Sequence, residues 1–182
     1  MKELSLNVLD IAENSIKAGA SLTEILIDES EDTLTITIRD DGCGMKPETV
    51  LAAQNPFYTT RTTRSVGLGI PLFKMSAEMT GGSFSLTSRH KDEFPNSHGT
   101  EISASFNKKH IDYTPLGDIA ESVVTLIRGH PDTDFEFIHS LEDKRVALKT
   151  RELREVLEDV PLNTYEVIVW IRENLAEQYT NE

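Results

Sequence analysis

The stretch 33–45, TLTITIRDDGCGM, determines how this chain folds. Its first residues alternate between polar and aliphatic side chains, with the aliphatic ones at Leu34, Ile36 and Ile38. A period of two is typical of a strand with one buried face. Continuing the alternation puts Asp40 on the apolar side at the end of the strand, where an unpaired buried carboxylate would be costly. The glycines that follow, at 42 and 44, allow the close backbone approach that a bound ligand requires, although a simple glycine-rich turn has the same pattern.

The composition limits the class of protein. The chain has 182 residues, a net charge of −13 and a single cysteine, Cys43. These values predict a globular protein with one good-sized core, or a domain with a small appendage, and no internal disulfide. No apolar run approaches the roughly 20 residues of a membrane span, and the amphipathic start MKELSLNVLD lacks the form of a secretory signal. We therefore predict a cytoplasmic protein that does not enter a membrane.

The negative charge is spread over the whole chain. Residues 131–182 contain thirteen acidic and six basic side chains, so this part carries −7 and the rest −6. A nucleic-acid-binding surface is basic, so we predict no nucleic-acid partner. A polyanionic ligand would have to be held by local donors and a metal ion, because the overall field repels it.

Apolar periodicity and turn residues predict the order of the elements. The first part contains a helix over 2–18, strands over 22–28 and 33–39, a short helix over 47–53, a mobile loop over 57–66, a helix over 70–80, and strands over 83–88 and 100–106. After a soft boundary at 107–115, the pattern predicts a helix over 116–128, a hairpin of strands 135–140 and 145–148, and helices over 151–158 and 165–177.

Two of these elements carry groups suited to a phosphate ligand. Four polar residues of the first helix follow at steps of three, four and three and so share one face: Asn7, Asp10, Asn14 and Lys17. Such a face is usually solvated, but an amide that ligates a cation, a lysine and a carboxylate also suit magnesium-bound phosphate. The second pattern, Gly-Leu-Gly at 67–69 before a helix, is typical of an anion site. It matches neither the dinucleotide-binding nor the Walker motif.

Four elements occur in an order and spacing that resemble a known ATP-binding fold. They are LDIAENSIKAGA at 9–20, RDDGCGM at 39–45, PFYTTR…GLGIPL from 56 to 72, and GT at 99–100. Together they resemble the Bergerat-type fold shared by histidine kinases, mismatch-repair ATPases, DNA gyrase and the heat-shock chaperones. The resemblance implies an α/β two-layer sandwich, with a mixed, mainly antiparallel sheet and helices on one face. It places an ATP-binding domain over 1–107, and leaves a small α+β extension over 116–182.

The resemblance also implies the roles of particular residues. Asp40 matches the carboxylate that receives the adenine amino group, with Thr100 beside it through water. Asn14 matches the asparagine that ligates Mg²⁺, and Lys17 matches the lysine of the kinases' N-x-x-K pattern. The remaining matches are Gly42, Gly44 and Met45 in the base pocket, Gly67, Leu68, Gly69 and Ile70 at the phosphates, and Phe57, Thr59, Thr60 and Arg61 in the aromatic box and the start of the ATP lid.

Two groups of relatives within this fold imply different activities. The run ENSIKAGA is close to the mismatch-repair version, but Asp10 stands where those ATPases carry a glutamate that activates water. PFYTTR and GLGIPL are closer to histidine kinases, although Ser65 replaces their usual first glycine. No histidine here is followed by an acidic residue, as the kinases' phosphoacceptor typically is, and none precedes the first helix.

We therefore predict a stand-alone domain that binds ATP and Mg²⁺ and transfers phosphate to an unidentified protein partner, with Asp10 as the catalytic residue. The alternatives are an ATPase conformational switch of the mismatch-repair or gyrase type, an anti-sigma-type serine kinase, and a non-catalytic nucleotide-binding module. A homodimer is left open.

Overall fold

The computed structural model describes residues 3–57 and 68–181. The helices are α1 (Leu4–Lys17), α2 (Pro47–Ala53), α3 (Gly69–Met79), α4 (Ile119–Gly129), α5 (Thr150–Leu157) and α6 (Tyr165–Thr180). The strands are β1 (Leu22–Glu29), β2 (Thr33–Asp40), β3 (Phe84–Arg89), β4 (Gly99–Asn107), β5 (Asp134–Ser140) and β6 (Arg145–Lys149). They form one sheet in the order β3-β4-β2-β1-β5-β6.

The sheet is mixed and mainly antiparallel, as the sequence predicts. β1 and β5 pair in parallel, and the other four neighbouring pairs are antiparallel. The alternation along β2 decides which face is covered, because Leu34, Ile36 and Ile38 are all buried. The opposite face is polar and includes a hydrogen bond of 2.9 Å between the hydroxyls of Thr37 and Ser103. With the apolar face covered by helices, the two-layer α/β sandwich is confirmed.

Helix α1 lies in the middle of the helical layer, where it contacts both α3 and α4. Its apolar side is fully buried at Leu4, Val8 and Ile11. Of the two alternatives for the face shared by four polar residues, a solvated surface does not hold at Asn7, which is only 1% exposed. Its side-chain amide has no hydrogen-bond partner among the described residues. Helices α3 and α4 cover two sides of α1. The spacing of polar residues along α1 alone therefore overestimates how much of its surface is exposed.

Three predicted helix ends differ from those in the structure. The backbone before α1 is extended at Glu3, and the first free N–H groups, of Leu4 and Ser5, donate to the carbonyls of residues 115 and 116. Helix α4 begins at Ile119 rather than at 116, because the Asp118 side chain caps it by accepting the Glu121 N–H at 2.9 Å. Helix α6 continues to Thr180 rather than ending at 177.

The C-terminal extension of α6 protects an edge of the sheet. Gln178 donates to the Ala147 carbonyl at 3.0 Å and accepts the Ala147 N–H at 2.8 Å. These bonds satisfy backbone groups on the outer side of β6, which would otherwise offer a free pairing edge. The predicted division into 1–107 and 116–182 stays a prediction, and the sheet runs across it because β5 pairs with β1.

A buried polar cluster ties α6 to the centre of this sheet. His139 on β5 is bonded to the Tyr179 hydroxyl through Nδ1 at 2.7 Å and to Glu29 Oε2 through Nε2 at 2.9 Å. Burial holds the pKa of His139 below its ordinary value. Burial acts to raise the pKa of Glu29, but the hydrogen bonds from Lys108 and His139 outweigh it and lower that pKa. The neutral imidazole therefore donates Nε2–H to the carboxylate and accepts from the tyrosine.

None of the helices in the described ranges combines the length and the apolar character needed to cross a bilayer.

Candidate functional site

A cavity of about 110 Å³ lies between α1 and the adjoining ends of β2 and β4. Its walls are mostly aliphatic, and its polar groups come from a few side chains on α1 and on the two strands. The lining residues are Ile11, Asn14, Ser15, Ala18, Ile38, Asp40, Gly44, Met45, Ile70, Thr100 and Ile102. Apolar walls with a few convergent polar groups are the usual form of a small-molecule site.

Two donors hold the Asp40 carboxylate in place at this cavity. The Ser15 hydroxyl donates to Oδ2 at 2.7 Å, and the Gly42 N–H donates to Oδ1 at 2.9 Å. Ser15 is itself 3% exposed, so it is a fixed support rather than a surface hydroxyl. An ionised carboxylate only accepts hydrogen bonds, and each oxygen keeps a lone pair for a ligand. The site therefore suits a ligand that presents an N–H or O–H to Asp40.

The neighbouring carboxylate, Asp41, is hydrogen-bonded to the residues at the start of β1. It accepts hydrogen bonds from the N–H groups of Ser21, at 2.7 Å, and Leu22, at 2.9 Å, and from the Ser21 hydroxyl. Burial acts to raise the pKa of Asp41, but these hydrogen bonds outweigh it and hold the pKa below its usual value. Asp41 thus fixes the start of β1, while Asp40 alone of the two lines the cavity.

The glycine turn after β2 is tightly packed against β3. Gly44 has φ of +69°, and a Cβ atom there would lie 1.9 Å from the carbonyl oxygen of Arg89. The next residue, Met45, donates its N–H to Ser88 Oγ at 2.7 Å, and Ser88 also shares a hydrogen bond of 2.7 Å with the Thr100 hydroxyl. The turn therefore requires glycine at 44, and the Ser88 hydroxyl positions both Met45 and Thr100 at the cavity wall.

The start of α3 lies beside Asp10 of α1. Gly69 is buried, and a Cβ atom on it would lie 3.1 Å from the Asp10 Cβ. The residue before α3, Leu68, has no side chain that could cap the helix, and no side chain among the described residues caps its first turn, so its N–H groups are suited to a ligand. The next residue, Ile70, lines the cavity. A helix N-terminus of this kind attracts an anion through its free amides and its dipole.

The structure brings together six of the residues predicted to bind the nucleotide: Asn14, Asp40, Gly44, Met45, Ile70 and Thr100. Gly42 supports Asp40 from the adjoining turn. Four other predicted residues do not line the cavity: Gly69 is buried at the start of α3, Lys17 and Leu68 are exposed, and Phe57 is 91% exposed. The rest, Thr59, Thr60, Arg61 and Gly67, lie with most of the predicted lid outside the described residues.

Sequence reasoning missed two hydroxyls that build the site. Ser15 had a readable signal, because it is a polar residue on the apolar flank of α1, four positions after Ile11. Ser88 had no local signal, since its role depends on the register that pairs it with Thr100 across β3 and β4.

Comparison with known proteins gives the family. The family of histidine kinase-, DNA gyrase B- and HSP90-like ATPases matches residues 2–110. The match covers more than half of the chain, and the chain belongs to this family. The division between matched and unmatched residues falls just after β4, so the cavity and the start of α3 lie within the matched part.

Individual relatives are more distant. The chain is 26% identical over 113 residues to a putative sensor histidine kinase NtrY-like protein of Rickettsia conorii. That alignment covers 62% of this chain but only 18% of the relative. Among solved structures, the Aquifex aeolicus MutL ATPase domain complexed with ADP is similar with a TM-score of 0.57 at 16% identity, over 95% of this chain and 88% of that one. The same domain with a K252N mutation gives a TM-score of 0.51 at 19% identity, over 86% of this chain and 64% of that one. These structural similarities establish the fold.

Proposed function

We propose that the chain binds ATP with its adenine in the cavity beside Asp40, and transfers the terminal phosphate to a protein partner. The observation that carries this proposal is the Asp40 carboxylate, which is fixed by Ser15 and Gly42 and faces an aliphatic cavity. Adenine offers an amino group as a donor to this carboxylate. Guanine offers a carbonyl oxygen at the corresponding position, which the carboxylate repels, so the site favours ATP over GTP.

The phosphates would extend towards the start of α3. There the free N–H groups of the first turn and the nearby Asp10 and Asn14 side chains of α1 form the polar end of the site. Lys17, exposed in the last turn of α1, supplies a positive charge on the same helix.

The residues fit a magnesium ion that is bound jointly with phosphate. No cluster of three or more His, Cys, Asp or Glu side chains suited to a metal occurs in the described parts of the chain. Mg²⁺ commonly takes one or two protein oxygens and completes its shell with phosphate oxygens and water. The Asn14 amide oxygen is suited to be such a ligand. When bound, the ion would neutralise charge on the transferring phosphate.

Asp10 would accept the proton of the attacking group. It lies one helical turn before Asn14 and beside Gly69 at the start of α3, where an added Cβ would be 3.1 Å from the Asp10 Cβ, so it adjoins the place proposed for the phosphates. Proton acceptance by a placed carboxylate accelerates such a step by about 10²–10⁴-fold. Because transfer of phosphate depends mostly on position and charge stabilisation, the chain needs few other groups.

One observation favours a second candidate, an ATPase that acts as a conformational switch. Asp10 lies beside Gly69 at the start of α3, so its carboxylate would be placed to accept a proton from water without any group from a partner. Hydrolysis and transfer would then differ only in the attacking group that gives its proton to Asp10, which is water in hydrolysis and a side chain of the partner in transfer.

An experiment with γ-³²P-labelled ATP distinguishes these functions. The purified chain, with and without a lysate of its source organism, is incubated with the label, and free phosphate and labelled proteins are quantified. Label on a second protein supports the transferase, and free phosphate from the chain alone supports the ATPase switch. ATP binding without either product indicates a binding module, and absence of ATP binding refutes both proposals.

A further inference from the structure

A second recess lies in the C-terminal part of the chain, outside the family match. It is a groove of about 450 Å³ formed by α5 and α6, and lined by Leu153, Val156, Leu157, Glu166, Val167 and Trp170. Five of the six lining side chains are apolar or aromatic. Val156 is 82% exposed and Trp170 is 49% exposed. Large apolar side chains that remain exposed together mark an interaction surface more often than isolated ones do.

The groove is bordered by negative charge that no ion pair among the described residues neutralises. Residues 150–181 contain seven acidic side chains and three arginines. All three arginines are turned to acidic partners elsewhere: Arg151 and Arg154 bind Asp134 at 3.1 and 2.8 Å, and Arg172 binds Glu121 at 2.8 Å. None of the seven carboxylates forms an ion pair with another residue in the described ranges.

Three of these carboxylates lie on the same helix faces as apolar side chains of the groove. On α6, Trp170 lies four residues after Glu166 and three before Glu173, so both acids are its neighbours on the helix surface. On α5, Val156 lies four residues after Glu152. The negative groups therefore border the groove on both helices, and Glu166 is part of its lining.

We propose that this groove binds one amphipathic helix of a partner protein, with apolar residues on one side and lysine or arginine on both flanks. A groove between two helices accepts the apolar side of a third helix through side chains spaced three and four residues apart. The surrounding carboxylates select basic flanks, because an acidic helix would add repulsion and a neutral one would leave the border unpaired. This docking site is separate from the cavity beside Asp40 and does not depend on the reaction proposed there.

Trp170 is the single tryptophan of the chain, so its fluorescence reports on the groove directly. The probe is a synthetic helix of about 18 residues, or five turns, with leucine on one side and lysine on both flanks. A matched peptide carries glutamate in place of each lysine. The lysine peptide is expected to shift the emission to shorter wavelength saturably, and to bind more weakly when NaCl is raised from about 0.05 to 0.3 M. The glutamate peptide is expected to leave the emission unchanged.

Two variants locate the binding. Val156→Ser removes an exposed apolar group from the groove and should weaken the lysine peptide about tenfold, the scale of an interface hot spot. Ile111→Ser is the matched control, because Ile111 is 95% exposed and lies outside the groove. The affinity of the Ile111→Ser variant for the lysine peptide should equal that of the unmodified chain.

Three results would overturn the proposal: no emission change with the lysine peptide, equal binding of the two peptides, or equal effects of the two substitutions. Analytical ultracentrifugation of the chain alone tests whether a second copy of the chain occupies the groove. If the chain self-associates and Val156→Ser abolishes the association, the groove binds a second copy and the proposed basic helix is wrong.

Discussion

Replacement of Asp40 by asparagine tests the proposed adenine site most directly. In the folded chain Oδ1 accepts from Gly42 and Oδ2 from Ser15. The Ser15 hydroxyl can turn and become an acceptor, so Asp40→Asn can keep both contacts if its nitrogen takes the place of Oδ2. The fold should then survive. The side chain, however, would present a donor to the cavity where the proposed ligand also presents one.

The size of the effect follows from these contacts. A hydrogen bond to a charged group contributes about 1.5–3 kcal/mol, and a polar group left unpaired in a buried site costs about 1–3 kcal/mol. The combined loss is about 2.5–6 kcal/mol, and each 1.4 kcal/mol corresponds to a factor of ten. The affinity for ATP should therefore fall by about two to four orders of magnitude.

Isothermal titration calorimetry with ATP and Mg²⁺ measures this change, and Asp41→Asn is the matched control. Both variants lose one negative charge from adjacent positions, but Asp41 is turned to Ser21 and Leu22 and does not line the cavity. Asp41→Asn should lower thermal stability and keep the affinity for ATP. Unchanged affinity in Asp40→Asn, or equal losses in both variants, would refute the assignment of the adenine site to Asp40.

Further predictions concern the supports of the site, the reaction and the buried histidine. Ser15→Ala should weaken ATP binding by about tenfold or less by calorimetry, because it removes one hydrogen bond to the carboxylate and leaves the carboxylate itself in place; a loss as large as that of Asp40→Asn would contradict this role. Gly44→Ala should lower the melting temperature strongly, since the added Cβ would clash with the Arg89 carbonyl. Gly129→Ala is the control and should not lower it, because its added Cβ would have no atom of another part of the chain within 4 Å. Asp10→Asn should keep the affinity for ATP but lower phosphate release or transfer by about 10²-fold or more, and unchanged turnover would exclude a catalytic carboxylate there. Because burial holds the pKa of His139 below its ordinary value of 6.5, the unfolded chain takes up this proton first, so the free energy of unfolding should fall as the pH drops below 6.5. Denaturant unfolding at several pH values should show a weaker fall in His139→Gln than in the unmodified chain, and equal slopes would contradict this origin.

Local sequence was enough to predict the strand and the turn at the centre of the site. The alternation that buries Leu34, Ile36 and Ile38 also turns Asp40 to the helical side, and this follows from the two-residue period of a strand alone. The paired glycines after the strand predicted either a turn or a close approach to a ligand. The structure shows a turn that needs glycine at 44, because of its positive φ and the nearby Arg89 carbonyl, and the approach to a ligand stays a prediction.

The family boxes extended this local information to the whole ATP-binding unit, because their order and spacing are specific to one fold. They placed Asn14 and Thr100 at the same site as Asp40, and the cavity contains all three. The same boxes gave no information about the groove between α5 and α6, since that part of the chain matches none of them.

The sequence by itself determined the buried side of β2 and the choice of Asp40 over Asp41 as the residue facing the cavity, because both follow from the two-residue period of one strand. It also determined the fold class, through the order and spacing of the four family boxes. The tertiary structure decided which residues distant in the sequence form hydrogen bonds with the residues of the cavity. The bonds from Ser15 to Asp40 and from Met45 to Ser88 join residues 25 and 43 positions apart, and Asn7 is buried because two other helices pack against α1. A local pattern fixes the direction of a side chain, whereas its partners depend on strand register and helix packing, which are set by the whole chain.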